Sequence, residues 1–413
     1  MRTKRRTTKV HAVLTTAERR TLAALAEGFV PGGGAARAEA AERAFATVVD
    51  PELVSQLRLV LRLIERPVTS LLIGGRAARY SSLRGEQRDA YLQHWVQHRI
   101  PLLRSAASAL RKLLCFLAYA DADEPGDPKI RTRLKAIGYN PKPNAATRDH
   151  SNIVAFDPRE AQRIAVDVLV IGSGAGGGSV ARDLAQAGKS VIVIESGALY
   201  DERSFPTRER DAYERLYLDS GFTASDDAHI AILAGGTVGG GTTVNWMTSI
   251  PVPNRVRDEW EERHGVEGIT SARFTTDLKA VLKEIGAQPS ETIPPKDAAL
   301  VRGARQQDWS AEQIQMNRAA CGDCGTCPFG CKRGSKQSTL RLHLPQALEA
   351  GARLIPDCRA ERLIITNGAV QGAVTTYGTR AGRPRTLEIV APQVVVSGGA
   401  TISSVRGLPA RVP

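Results

Sequence analysis

No apolar run in this chain approaches the roughly 18 residues that a membrane span needs. The basic N-terminus is not followed by the apolar core of a secretion signal, so the sequence predicts a cytoplasmic protein. Without such a signal, the six cysteines are not expected to form a disulfide framework. Internal repeats are absent, and so is any recognisable nucleic-acid-binding motif. That second absence matters because the formal net charge is +13 and the pI about 9.7. The arginine excess is interleaved with Asp and Glu. Its one basic run, Arg2, Lys4, Arg5, Arg6 and Lys9, reads as a solvated tail over residues 1–15, and no nucleic-acid partner is expected. What remains is an ordinary globular composition, 42% hydrophobic and 24% charged over 413 residues, enough for two or three domains.

Helical periods fill residues 16–120: Thr16 reads as an N-cap before Arg19 to Phe29, and further periods run through Leu53 to Ile64 and Tyr91 to Leu103. The stretch Ile100 to Ala120 mixes leucines with Arg104, Arg111 and Lys112. It fits either a core-facing helix or one in peripheral contact with a membrane surface. Residues 121–160 form a polar, proline-bearing link, and the α/β part begins near 160. Towards the C-terminus, Arg362 to Thr366, Val370 to Tyr377, Leu387 to Val390 and Gln393 to Val396 read as strands. The Asn367-Gly368 turn marks a hairpin and the last run a final buried strand.

The most informative segment is Val166 to Gly177, closed by Val191-Ile192-Val193-Ile194-Glu195. It reads as strand, glycine turn, helix and strand. In such a unit Gly172 permits the tight turn, Gly174 lets the backbone approach a pyrophosphate, and Gly177 lets helix and strand pack closely. The helix N-terminus supplies free N–H groups and a positive dipole end. Glu195 stands where a carboxylate accepts a ribose hydroxyl. A second glycine-dense stretch, Ala234 to Trp246, holds Gly239, Gly240, Gly241, Thr242 and Asn245, and glycine this dense implies close approach of backbone to a ligand.

These pieces together resemble one family, the flavin-dependent glucose-methanol-choline (GMC) oxidoreductases, and within it the long-chain alcohol oxidases. The resemblance rests on Val168 to Gly177, on Gly239 to Trp246 continuing to Asp258-Glu259-Trp260, and on Cys321 to Thr339 with its Gly330-Cys331-Lys332-Arg333-Gly334 ending. It implies an α/β fold: a Rossmann-type FAD-binding domain over 161–413, with an interleaved substrate-binding portion at about 250–320, preceded by an all-helical N-terminal region. It further implies FAD with its pyrophosphate on Gly172, Gly174 and Gly177, its ribose on Glu195, and Gly239 to Asn245 along the phosphates and flavin ring. The implied substrate is a primary alcohol, with hydride passing to flavin N5 and electrons to oxygen or another acceptor. The family's catalytic histidine lies beyond the strand matched by Val394 to Val396. None of His11, His94, His98, His150, His229, His264 and His343 follows a matching motif, so no catalytic base is assigned; the chain is expected to be truncated, and a catalytically inactive truncated chain stands as an alternative function.

Four of the cysteines fall in Cys321-x-x-Cys324-x-x-Cys327-x-x-x-Cys331, the spacing of an iron–sulfur ligand run, although the proline follows Cys327 and not the fourth cysteine. Zinc also accepts four thiolates, but its usual ligand pairs are separated by a longer loop. Resemblance to the family offers a third reading, a cysteine- and glycine-rich structural loop. The metal set Cys321, Cys324, Cys327 and Cys331 therefore stands as an expectation beside that loop, and with it an alternative function, a dehydrogenase with an iron–sulfur electron outlet.

Overall fold

Thr15 opens the first helix with a reciprocal cap: its Oγ1 accepts the Glu18 N–H at 3.2 Å, and the Glu18 carboxylate accepts the Thr15 N–H at 2.9 Å. The cap thus lies one residue before the expected Thr16, because Glu18 three places on completes the pair. A computed structural model describes residues 13–48, 51–120, 128–139, 150–158, 161–225, 230–290, 292–380, 382–400 and Ser403. The basic run Arg2 to Lys9, and with it His11 and His229, lies outside the described residues.

The chain divides into two units, one of residues 1–140, 208–214 and 218–233, the other of 141–207, 215–217 and 234–413. The first is helical: α1 (Thr16–Phe29), α2 (Gly34–Val48), α3 (Pro51–Ile64), α4 (Pro67–Gly74), α5 (Gly85–Val96), α6 (Pro101–Tyr119) and α7 (Pro128–Ala136). Pro51, Pro67, Pro101 and Pro128 each stand at a helix start, where the missing N–H leaves no bond unmade. Pro101 also splits the period Tyr91 to Leu103, read as one run, into α5 and α6. A proline inside a helix would remove a backbone bond and strike the preceding turn. Pro128 likewise starts a helix inside the stretch read as a linker. Leu22, Leu25, Leu61, Ile64, Tyr80, Tyr91, Trp95 and Leu114 are fully buried, with Tyr91 edge-on to both Tyr80 and Trp95. Burial alone would raise the Glu18 carboxyl, but hydrogen bonds from Thr15, Arg62 and Arg58 hold it at about 2.

The second unit runs in the order β1 (Arg163–Ala165), β2 (Val168–Ile171), α8 (Ala175–Gln186), β3 (Val191–Ile194) and α9 (Glu209–Leu216), which ends within it. Then follow α10 (Gly241–Val244), α11 (Asn254–His264), α12 (Ala272–Glu284), β4 (Ala287–Pro289), α13 (Pro295–Gln306), β5 (Gln315–Asn317), α14 (His343–Glu349) and β6 (Arg353–Ile355). The chain closes through β7 (Cys358–Thr366), β8 (Ala369–Tyr377), β9 (Arg385–Val390) and β10 (Gln393–Val396). A parallel sheet in the order β10-β2-β3-β6 carries the glycine turn, with Ile171 opposite both Ile194 and Val396. β2 and β3 are buried almost throughout, as parallel strands covered on both faces must be. β10, expected as a buried strand, is the sheet's edge and is only half-buried, with Val396 42% exposed. A second sheet, β1-β9-β8-β7, contains the Asn367-Gly368 hairpin. Both turn residues have positive φ, +51° and +76°, as the twist of a two-residue hairpin requires.

Helix α8 is pinned by a polar knot: Arg182 pairs with Glu284 of α12, and the buried His343 of α14 has its Nε2 3.0 Å from the same carboxylate. Among the described residues no helix is long and apolar enough to cross a membrane.

Candidate dinucleotide-binding site

Gly172 takes φ +101° between β2 and α8, and a Cβ there would overlap the Ser397 carbonyl that follows β10. A Cβ on Gly177 would overlap the Gly172 carbonyl, so the turn closes only without side chains at both places. Gly174 is the N-cap of α8 and makes no side-chain cap bond. The following Ala175 and Gly176 are exposed, which leaves the positive end of a twelve-residue helix open to an anion.

The second glycine stretch arrives at the same place. Gly239 and Gly240 have φ +86° and +51°, and a Cβ on Gly240 would come within 3.0 Å of the Gly174 Cα. Side chains that the sequence did not single out hold the two turns together. Ser173, fully buried, donates its hydroxyl to Glu195 Oε2 at 2.7 Å and accepts the Gly239 N–H at 3.0 Å. Thr339 donates to the Ser173 carbonyl at 3.1 Å, and its N–H reaches Thr242 Oγ1 at 3.1 Å. Thr242 in turn donates to the Gly239 carbonyl at 2.6 Å. A hydroxyl residue enclosed by glycines in the first turn was the one sequence signal for Ser173.

Glu195 ends β3 as a buried carboxylate. Oε2 accepts both the N–H and the hydroxyl of Ser173, while Oε1 accepts the Gly197 N–H at 2.9 Å and the Ser196 hydroxyl at 3.3 Å. Its oxygens thus fasten the first turn to the loop after β3, and the longest of the four bonds comes from the exposed Ser196. The expected residues Gly172, Gly174, Gly177, Glu195, Gly239, Gly240, Gly241 and Thr242 are therefore brought together. Asn245 closes α10 as its C-cap and turns its Oδ1 to the Met247 N–H at 3.2 Å.

Behind α10 lies Lys336. Its Nζ donates to the carbonyls of Thr243 (2.8 Å), Asn245 (2.7 Å) and Cys327 (2.8 Å), so a buried cation sits at the negative end of that helix. Burial lowers its pKa to about 8 against the opposing pull of the neighbouring thiols. Lys336 lines a cavity of about 200 Å³ shared by Cys321, Cys324, Cys327 and Cys331, none of them in a disulfide. Among the described residues no three His, Cys, Asp or Glu side chains are placed to hold a metal ion. The four thiols thus line one cavity together with Lys336, and burial pushes the Cys327 thiol up. Of the described histidines, His94 lies edge-on to His98, and His343 lies against Glu284.

Residues 213–405 match the family model described as GMC oxidoreductase, and residues 167–201 match that of the FAD binding domain. The chain is 27% identical over 398 residues to Long-chain-alcohol oxidase FAO3 of Arabidopsis thaliana, covering 84% of this chain and 52% of that protein. It is 29% identical over 337 residues to Long-chain-alcohol oxidase FAO4A of the same plant, covering 69% and 46%. An uncharacterized GMC-type oxidoreductase of Mycobacterium tuberculosis is 31% identical over 315 residues, covering 74% and 48%. The chain therefore spans about half the length of the curated relatives it matches. Among solved structures, pyridoxine 4-oxidase from Mesorbium loti aligns with TM-score 0.42 and 17% identity over 57% of this chain and 49% of that one. The glycine-turn unit falls within the residues that match the FAD binding domain, and the chain belongs to the GMC oxidoreductase family.

Proposed function

We propose that the second unit binds FAD across the two glycine turns and serves the oxidation of CH–OH groups of long-chain alcohols to aldehydes. The observation that carries this reading is the meeting of Gly174 and Gly240 with no side chain between them, at the open positive end of α8. There the N–H groups behind Gly174 face the pyrophosphate, and Gly239 to Asn245 lie along the phosphates and the ring. Glu195 would hold the cofactor's ribose through Oε1, where its longest bond comes from the exposed Ser196. Bound flavin supplies the hydride acceptor, N5. The chain's own residues supply position: Ser173 and Thr339 fix one turn against the other, and Lys336 fixes the end of α10 by holding its proton on Nζ against three carbonyls. The portion at about 250–320 would form part of the substrate side, with oxygen or another acceptor as the final oxidant. The alcohol class rests on similarity to the long-chain-alcohol oxidases.

Adding a long-chain alcohol without oxygen to the flavin-loaded chain tests the reaction. Bleaching of the flavin band is expected. Bound flavin that stays oxidised would remove the alcohol chemistry and leave the cofactor site standing, while a chain that takes up no flavin would remove both.

A further inference from the structure

Helix α4 and the start of α6 present apolar side chains to water. Val68 is 75% exposed, Leu72 67% and Leu102 77%, with Leu71 and Ile100 exposed beside them. The two segments adjoin through the His98 ring, whose Nδ1 accepts the Ile100 N–H at 3.0 Å and whose Nε2 lies 3.1 Å from the Leu72 carbonyl. Single exposed leucines are ordinary, but five such side chains on two joined segments are not.

The charge along these segments is mostly positive, with Glu86 and Asp89 the exposed carboxylates between them. Residues 66–85 and 90–120 contain no Asp or Glu, while Arg66, Arg76, Arg79 and Arg99 are exposed. An occupant of this face must therefore be apolar at its centre and anionic around it. Five partly exposed side chains offer less than the ~800 Å² per partner that a stable protein interface buries. A bilayer has no such threshold, since side chains enter the headgroup boundary one by one while arginines meet lipid phosphate. We infer that this face docks the helical unit on an anionic membrane surface without crossing it. This placement stands independently of the flavin reading.

The test is sedimentation of the whole chain with phosphatidylcholine vesicles, with and without phosphatidylserine. Binding to the anionic vesicles alone is expected, weakening as salt rises. The L72E/L102E double variant is expected to bind them at least about tenfold more weakly at an unchanged melting temperature, since both side chains lie in solvent. Should that pair disturb folding, R79Q/R99Q serves instead and is expected to lose the preference for anionic lipid. Equal binding to neutral and anionic vesicles, no binding at all, or unaltered binding by a folded variant overturns the proposal. Capture of an acidic protein with no uptake by vesicles overturns it as well.

Discussion

Ser173 does more than a spacer in a Gly-x-Gly turn, for its hydroxyl joins the buried Glu195 carboxylate to the N–H of Gly239, 66 residues away. Ser173→Ala leaves that N–H without its acceptor and takes one donor from Glu195. A loss of about 1–3 kcal/mol is expected by denaturant titration, with weaker FAD binding. Gly177→Val should be worse, because its Cβ overlaps the backbone of Gly172. That variant is expected to be recovered unfolded or insoluble, which circular dichroism of the soluble fraction would show. The glycines were legible in the sequence because a positive φ or a missing Cβ is a local demand. The partners of Ser173, Thr339 and Lys336 were not, because a hydrogen bond spanning 66 to 166 residues is decided only by how the sheet brings its turns together.

At the scale of elements, α10 is one turn long and cannot hold itself; Lys336 does so from outside. Lys336→Met removes three donors at once and leaves buried carbonyls unmet, so it is expected to lower the melting temperature and FAD affinity together. Lys336→Arg, which keeps the charge, should do less harm. Helix α1 gives a prediction in pH. The Glu18 carboxyl is held at about 2 in the fold against 4.5 otherwise. Between those values the unfolded chain binds more protons, so stability rises with pH across that window. The contribution is full above about 4.5 and is lost as pH falls towards about 2. In Glu18→Gln this part of the pH dependence should vanish from melting curves, and its persistence would show that the bonds from Arg58 and Arg62 are not its source. Most elements were legible from apolar period and punctuation: Asn367-Gly368 announced its hairpin. Pro101 and Pro128 were underread, since a proline at a helix start looks in sequence like one in a linker. The edge position of β10 was hidden because a valine run reads the same at an edge as in the middle.

Across the whole molecule, the family was foreseeable from three separate motifs, whereas nothing in the sequence placed residues 208–214 and 218–233 in the first unit. Four thiols at ligand spacing reach a common cavity, yet a buried lysine and its carbonyls shape the wall. Whether flavin sits between the two glycine turns is the claim on which the functional reading depends. The most direct test is an equilibrium titration of FAD into the wild-type chain and into Gly174→Val. A Cβ at Gly174 meets only Gly240 Cα at 3.8 Å, so the variant should fold while its side chain stands where the pyrophosphate would approach. We predict affinity at least about 100-fold weaker, about 2.7 kcal/mol, with an unchanged melting temperature for the unliganded protein. Equal affinity in the two proteins would contradict the placement of the cofactor on this turn.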